Sequence, residues 1–351
     1  MITRNSEKKK KVKNIKKTKG SVFVEKGDNG EYEQKIRPSK INEVIGRQIE
    51  KKTLGMMIDS AKKRGECVDH ILFYGPPGLG KTTFATAISN EIGSTLHITS
   101  GPAIERQGDL AAILTNLGEN DVLFIDEIHR LSRVVEEILY PAMEDRVLDI
   151  VVGKGPSAKT IRLSLKPFTL IGATTNIGKL SSPMRDRFGL VQRLDYFNEE
   201  DLLKILERAV IVWDMDFEKK ALVEIAKRSR GTARVALRLL RRVRDYYESL
   251  SGVNKFVTDR VALEALDLLG VDSFGFEDID RMILDIIWRN YSGGPVGVST
   301  LAAAISEEEG TLTGVYEPFL MKSGFLKRTM RGRVLTEKAI DYLMKSIKEE
   351  K

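Results

Sequence analysis

What this 351-residue sequence lacks already narrows it. It has one cysteine, Cys67, which excludes a disulfide framework and any zinc site built on several thiolates, and which fits a reducing, cytoplasmic setting. Its three histidines, His70, His97 and His129, are too few and too scattered along the chain for a metal site. No uninterrupted apolar run approaches the roughly 18 residues of a membrane span, and no apolar stretch follows the basic N-terminus as a signal peptide requires. The composition, 42% apolar and 30% charged, is that of an ordinary folded protein, so secreted, membrane and disordered classes are excluded. At about 150 residues per domain, two or three domains are expected.

The net charge of +7 invites a nucleic-acid reading, but its location matters. Residues 1–20 hold nine basic residues and one acid, so the remainder carries 48 basic and 49 acidic residues. This tail is expected to be disordered. It is either a phosphate-binding arm or a solubilising extension.

Beyond the tail, apolar runs at Ile71–Tyr74, Val122–Ile125 and Phe168–Ala173 read as buried strands. Helical patterns at 47–64 and 82–92 and after the second strand alternate with them. The expected fold is therefore α/β, a parallel sheet covered on both faces. Within it, Val147–Val152 and Thr160–Leu165 form a hairpin pattern that is either an ordinary edge hairpin or a projection meeting another macromolecule. Residues 199–271 are wholly helical. After a Gly-containing linker, helix, turn, helix and two extended pieces around Met330-Arg331-Gly332 predict a winged-helix plan. The expected domains are a tail at 1–20, an α/β domain at 21–198 with the hairpin at 147–165, a small all-α domain at 199–271 and a winged-helix domain at 272–351.

Gly75-Pro76-Pro77-Gly78-Leu79-Gly80-Lys81-Thr82 matches G-x-x-x-x-G-K-[ST] between a strand and a helix. Glycines let the backbone curl so that its N–H groups face phosphate oxygens, and the helix N-terminus adds partial positive charge. Lys81 would neutralise the β- and γ-phosphates of ATP, and the Thr82 hydroxyl would ligate Mg²⁺. About 45 residues on, Val122-Leu123-Phe124-Ile125-Asp126-Glu127 delivers two acids to the carboxyl edge of the sheet. Asp126 would hold Mg²⁺, and Glu127 would orient or deprotonate water, so hydrolysis is expected rather than binding alone.

A P-loop, an acid pair, a polar strand end at Thr174-Thr175 and an all-α lid resemble the AAA+ ATPases. The resemblance places Thr175 as the sensor-1 contact to γ-phosphate or water, where many members carry Asn. It makes Arg187, in Arg185-Asp186-Arg187-Phe188-Gly189, an arginine finger reaching a neighbouring subunit's nucleotide. Arg234, in Gly231-Thr232-Ala233-Arg234, becomes the sensor-2 contact from the lid. From Lys227 to Arg244 there are eight basic residues and no acid, which reads mostly as a solvated or interdomain face.

Further segments are similar to the RuvB family of Holliday-junction motors: Ile36-Arg37-Pro38, Thr99-Ser100-Gly101-Pro102-Ala103-Ile104-Glu105, Ile125-Asp126-Glu127-Ile128-His129-Arg130-Leu131 and Gly293-Gly294-Pro295-Val296-Gly297. The likeness runs from about residue 35 to 336. It implies a hexameric ring ATPase that pumps duplex DNA at four-way junctions with RuvA and RuvC. ATP contacts carry over to Ile36, Arg37, Gly75, Gly78, Gly80, Lys81, Thr82, Thr83, Glu144, Asp145, Arg146, Phe197, Arg187 and Arg234. The hairpin becomes the RuvA-docking element, with Val147, Leu148, Ile150 and Val151 as apolar contacts. Arg328 and Arg333 become phosphate binders on a wing that also carries Lys327 and Arg331.

The wing's charge supports this independently, because Met321–Thr336 carries five basic residues and no acid while 272–351 has 11 basic and 13 acidic. The chain departs from the family pattern at Ala233 (usually Pro), Leu237 (Asn), Phe197 (Tyr) and Met330 (Pro). His129 is expected to link the nucleotide site to neighbouring structure. A clamp-loader-type ATPase would share the nucleotide site but neither the hairpin nor the winged helix. A regulatory DNA-binding module would not need the complete acid pair.

Overall fold

A computed structural model describes residues 35–152, 159–251 and 256–349 of the chain. The lysine-rich tail and the hairpin tip at 153–158 lie outside the described residues. The elements run α1 (Gln48–Arg64), β1 (Ile71–Tyr74), α2 (Lys81–Ile92), β2 (Leu96–Ser100), α3 (Gln107–Thr115), β3 (Asp121–Asp126), α4 (Arg133–Glu144), β4 (Val147–Val152), β5 (Lys159–Ser164), β6 (Phe168–Thr174), α5 (Ser182–Asp186) and β7 (Leu190–Arg193). The helical segment follows with α6 (Glu199–Val212), β8 (Asp216–Phe217), α7 (Lys219–Lys227), α8 (Ala233–Ser251), β9 (Phe256–Val257) and α9 (Asp259–Leu268). The C-terminal segment contains α10 (Asp278–Tyr291), α11 (Val298–Ala304), α12 (Glu317–Lys322), β10 (Leu326–Thr329), β11 (Gly332–Leu335) and α13 (Glu337–Glu349).

Five parallel strands form the central sheet in the order β2-β3-β6-β1-β7. Side chains alternate across it with period two. Leu72, Leu123, Ile125 and Leu170 face α3 and α4, whose Leu110, Leu114, Val135 and Leu139 complete that core. Ile71, Phe73, Val122, Phe124 and Ile171 face the other way, against Leu54 and Ile58 of α1 and Phe84 and Ile88 of α2. The interior strands β1, β3 and β6 are therefore apolar at nearly every position, which is why they read as strands. The sequence reading missed the edge strands β2 and β7. Their residues are half-buried or exposed, so polar and apolar residues mix and no uninterrupted apolar run marks them.

The lid core gathers Leu206, Ile225, Leu240, Val243 and Leu266, and Ile36 from the N-terminal strap packs into it. Thr232 caps α8 by accepting the Val235 N–H (3.3 Å), so the helix starts cleanly although Ala233 stands where the family has proline. The head core is aromatic, with Phe276 edge-on to Phe325 at 4.7 Å. A π turn at Leu312–Tyr316 leads into α12.

Lid and head are tied by ion pairs. Arg230, just before α8, binds the fully buried Asp280 of α10 and stacks on Phe319 (4.8 Å), while Arg238 reaches Glu277 at 2.5 Å. The expected interdomain face is thus partly real. Burial pushes the Asp280 carboxyl up, and Arg230 with the Glu277 N–H pulls it back. Removing one partner strands a charge. Arg230→Met should cost about 3–5 kcal/mol of head–lid stability, with much of it recovered in Arg230→Met/Asp280→Leu. Urea unfolding followed by Trp288 and Trp213 fluorescence checks this, and equal stability of wild type and single variant would refute it.

Candidate active site and nucleic-acid interface

Three loops meet at the carboxyl end of the sheet. The first leaves β1 at Gly75 (φ +143°), whose N–H donates to the Thr174 carbonyl (3.2 Å), and curls through Gly78 (φ +79°) and Gly80 (φ +91°) into α2. Lys81 is 7% exposed, and its ammonium donates to the carbonyls of Gly75 (2.9 Å) and Pro76 (3.0 Å). Burial lowers its pKa, while Asp126 and Glu127 oppose that shift and Arg234 adds to it. These four charged groups therefore share one electrostatic site. Thr82 and Thr83 lie in the first turn of α2.

Asp126 ends β3 and accepts the Glu127 N–H (2.9 Å). Glu127 follows in the left-handed region (φ +47°), a conformation costly for a non-glycine residue and one that turns its carboxylate toward the end of β6. There the Thr175 hydroxyl donates to Glu127 Oε2 at 2.9 Å. The hydroxyl of Thr175 is thus engaged by the Glu127 carboxylate, a contact the sequence reading did not anticipate.

Arg234 comes from the lid. A β-carbon placed on Gly78 would lie 2.7 Å from Arg234 Cβ, so the lid sits directly on the P-loop and only glycine fits beneath it. Beside this contact is an apolar cavity of about 100 Å³ lined by Ile36, Arg37, Gly80, Thr83, Phe197 and Leu237, among others. Its lining is almost wholly apolar, with the Phe197 ring in the wall. Phe197 lies under the Arg47 guanidinium (4.3 Å), so the aromatic platform survives the loss of a tyrosine hydroxyl. Leu237 adds apolar lining where the family has an amide. Sequence reasoning missed Val44, Ile45, Leu79, Ile205 and Arg208 in the same lining. Of these only Leu79 stands in a recognisable motif, as a variable position of the P-loop. Arg208 pairs with the Glu43 carboxylate at 3.6 Å, and it helps the Ser39 N–H hold that carboxyl below its usual pKa.

Arg187 stands elsewhere. Its guanidinium donates to the Pro183 carbonyl (2.7 Å), pairs with Glu144 (3.2 Å) and stacks on Tyr140 (4.4 Å). Asp145 is the C-cap of α4, and the carbonyl of Arg146 (φ +56°) accepts the Leu165 N–H at the base of the hairpin (2.7 Å). Of the segment 144–146, Glu144 is the residue that meets Arg187.

Two expectations need correction. Leu148 is 0% exposed and belongs to the ATPase-domain core, so it anchors the hairpin and cannot also be a docking contact. Val147 is half-buried, and the side chains of Ile150 and Val151 lie outside the described residues. Ile161, on the partner strand, is exposed and was not anticipated. On the wing, Lys327, Arg328 and Arg331 are exposed, but Arg333 is 6% exposed. Its guanidinium forks onto Glu317 at 2.5 and 3.1 Å, so it braces the wing against α12 instead of facing phosphate.

With this geometry in view, comparison with known proteins is decisive. Residues 36–194 match the Holliday junction DNA helicase RuvB P-loop domain, 197–272 the RuvB AAA lid domain and 273–344 the RuvB C-terminal winged helix domain. This chain belongs to the RuvB family. The Holliday junction branch migration complex subunit RuvB of Fusobacterium nucleatum is 55% identical over 315 residues, covering 90% of this chain and 94% of the relative. The Thermotoga maritima RuvB Holliday junction branch migration motor superposes with a TM-score of 0.78 at 46% identity, covering 88% of this chain and 98% of that one. A point mutant of the same Thermotoga RuvB gives 0.80 at 47% identity with the same coverage. The fold is accordingly a RuvB-type P-loop domain, AAA lid and winged helix. Among the described residues no helix is long and apolar enough to cross a membrane.

The lid-on-loop contact yields a direct test. Gly78→Ala forces a side chain into the left-handed region at roughly 1–2 kcal/mol and pushes Arg234 off the loop. Titration with a fluorescent ATP analogue should show affinity lowered about tenfold. Unchanged affinity would mean the lid yields freely at this point.

Proposed function

We propose that this chain is the ATP-driven motor that branch-migrates Holliday junctions, acting as a homo-hexameric ring recruited by RuvA and supplying junctions to RuvC. The observation carrying this reading is the succession of three RuvB-type domains on one chain, the first holding a complete P-loop and acid pair and the last an exposed basic wing. A clamp-loader ATPase would account for the first domain and leave the wing unexplained.

The pocket fits MgATP. The cavity beside Phe197 takes the base, the P-loop amides and Lys81 take the phosphates, and Arg234 closes over them from the lid. Among the described residues no group of three or more His, Cys, Asp or Glu could hold a metal alone. Thr82 and Asp126 supply a hydroxyl and a carboxylate, a sparse oxygen set suited to magnesium that keeps waters and shares phosphate oxygens. A magnesium ion held there would supply positive charge against that developing on the phosphates. In hydrolysis the water oxygen bonds to the γ-phosphorus and the bond to the bridging oxygen breaks, its electron pair leaving with ADP. Glu127 takes the water's proton. Arg187, which bonds to Pro183 and Glu144 within its own chain, would serve a neighbouring subunit's nucleotide, with Glu144–Arg146 lining that interface.

The hairpin is the RuvA-docking element. Ile161 presents its exposed apolar surface, and Leu148, on the same face by register, fixes its base. Lys327, Arg328 and Arg331 hold DNA phosphates, and phosphate contact without base readout lets a motor pass every sequence.

Purified protein supplied with RuvA, ATP and Mg²⁺ should convert a synthetic four-way junction to duplex products, and Glu127→Gln should bind ATP yet give no conversion. Wild-type protein that hydrolyses ATP but leaves the junction intact would sink the reading. On the wing, Arg328→Ala should reduce the slope of log affinity against log salt by about 0.9. Arg333→Ala should instead lower the head's melting temperature with the exposed cations still in place. The reverse pattern would exchange the two roles.

A further inference from the structure

Glu127 is held by two donors, and only one of them belongs to the expected site. His129 Nδ1 lies 3.1 Å from Glu127 Oε2, the same oxygen that accepts the Thr175 hydroxyl. That nitrogen is also 2.9 Å from Thr174 Oγ1, which accepts the Asn176 N–H at 3.0 Å. A bare Nδ1 would set its lone pair against a carboxylate oxygen that has only lone pairs to offer. The proton therefore sits on Nδ1 and is shared between Glu127 and Thr174. Burial lowers the imidazole pKa, Lys179 and Arg130 lower it further, and Glu127 works against them, which favours the neutral ring.

We propose that His129 is a positioning residue for ATP hydrolysis: its Nδ1–H and the Thr175 hydroxyl together pin Glu127 by Oε2 and leave Oε1 to receive the proton from water. Two hydrogen bonds on Oε2 withdraw electron density from it, so the other oxygen is the better base. The tie also reaches the phosphate loop. Thr174 is fully buried, its hydroxyl meets His129, and its carbonyl accepts the first P-loop N–H, from Gly75. One strand end thus fixes the phosphate cradle and the base's orientation together.

The inference rests on Glu127 being the base, and the experiment separates the two. Steady-state ATPase is measured for wild type, Glu127→Gln, His129→Leu, His129→Asn and the double variant Glu127→Gln/His129→Leu, alongside affinity for a non-hydrolysable ATP analogue. Leucine removes the donor, whereas asparagine places an amide N–H close to where Nδ1 stood. His129→Leu should lower kcat about 10- to 100-fold, a part of what general-base catalysis contributes, with KM and analogue affinity within about twofold. His129→Asn should recover most of that loss, and the double variant should be no slower than Glu127→Gln alone. Equal losses in the leucine and asparagine variants, or lost analogue affinity, would reduce His129 to a packing residue and overturn the proposal. Full kcat in His129→Leu would overturn it as well. Retained kcat in Glu127→Gln would remove the base itself, a failure distinct from the others.

Discussion

The parallel register of β1, β3 and β6 is the constraint on which the site depends. Tyr74 pairs with Thr174, and Ile125 with Gly172, so the three central strands end nearly in step. A sheet covered by helices on both faces has few places for polar side chains other than its ends. Here the carboxyl ends bring the P-loop, the Asp126–Glu127 pair and Thr174–Thr175 within hydrogen-bond reach of one another. The contacts that follow are consequences of that register: Gly75 N–H to the Thr174 carbonyl, Thr175 hydroxyl to Glu127, His129 to both. A one-residue slip of β6 would replace Thr174 by Thr175 beside Gly75 and would turn the buried hydroxyl outward.

The same constraint explains which features were legible in the amino-acid sequence. Ile71–Tyr74, Val122–Ile125 and Phe168–Ala173 are apolar because both their faces are buried, and the P-loop and acid pair are recognisable because they occupy fixed places at such strand ends. The edge strands Leu96–Ser100 and Leu190–Arg193 escape because one side of each meets solvent or the sheet's rim. Arg333 is instructive in a different way. Its neighbours along the chain, Lys327, Arg328 and Arg331, make it look like one more cation on a basic loop. Its burial against Glu317 depends on a contact sixteen residues away that local charge cannot announce. Leu148 fails similarly, because an apolar strand residue reads alike whether it docks a partner or packs its own core. The cavity beside Phe197 is assembled from a strap, the P-loop and two lid helices, and most of its lining carries no motif.

The lid occupies the middle of the molecule's logic. Its helix α8 begins on the P-loop, where Arg234 covers Gly78, and Arg230 four residues earlier is locked to Asp280 in the head. Lys322 of the head stacks over Tyr196 (3.7 Å), close to where the ATPase domain gives way to the lid. A buried ion pair contributes little stability compared with apolar packing, but it tolerates only one geometry. A displacement of α8 relative to the phosphate loop would therefore reach the head through Arg230–Asp280 and Arg238–Glu277 instead of dissipating in the short linker.

Charge in this protein acts by position more than by sum. Lys81, Arg187, Arg230 and Arg333 are all cations, yet each is wholly or largely withdrawn from solvent and committed to different company: P-loop carbonyls, Tyr140 and Glu144, Asp280, and Glu317. Their desolvation costs are met by fixed partners, so each is available only for a task that its partner permits. Lys81 can exchange two carbonyls for phosphate oxygens because those carbonyls are themselves part of the cradle. Arg333 has no such exchange at hand, since leaving Glu317 would strand a carboxylate that is 3% exposed. The exposed Arg328 and Arg331 of the wing lie in solvent with no buried carboxylate to hold them, so a contact they made with an anion would be formed and released at small desolvation cost.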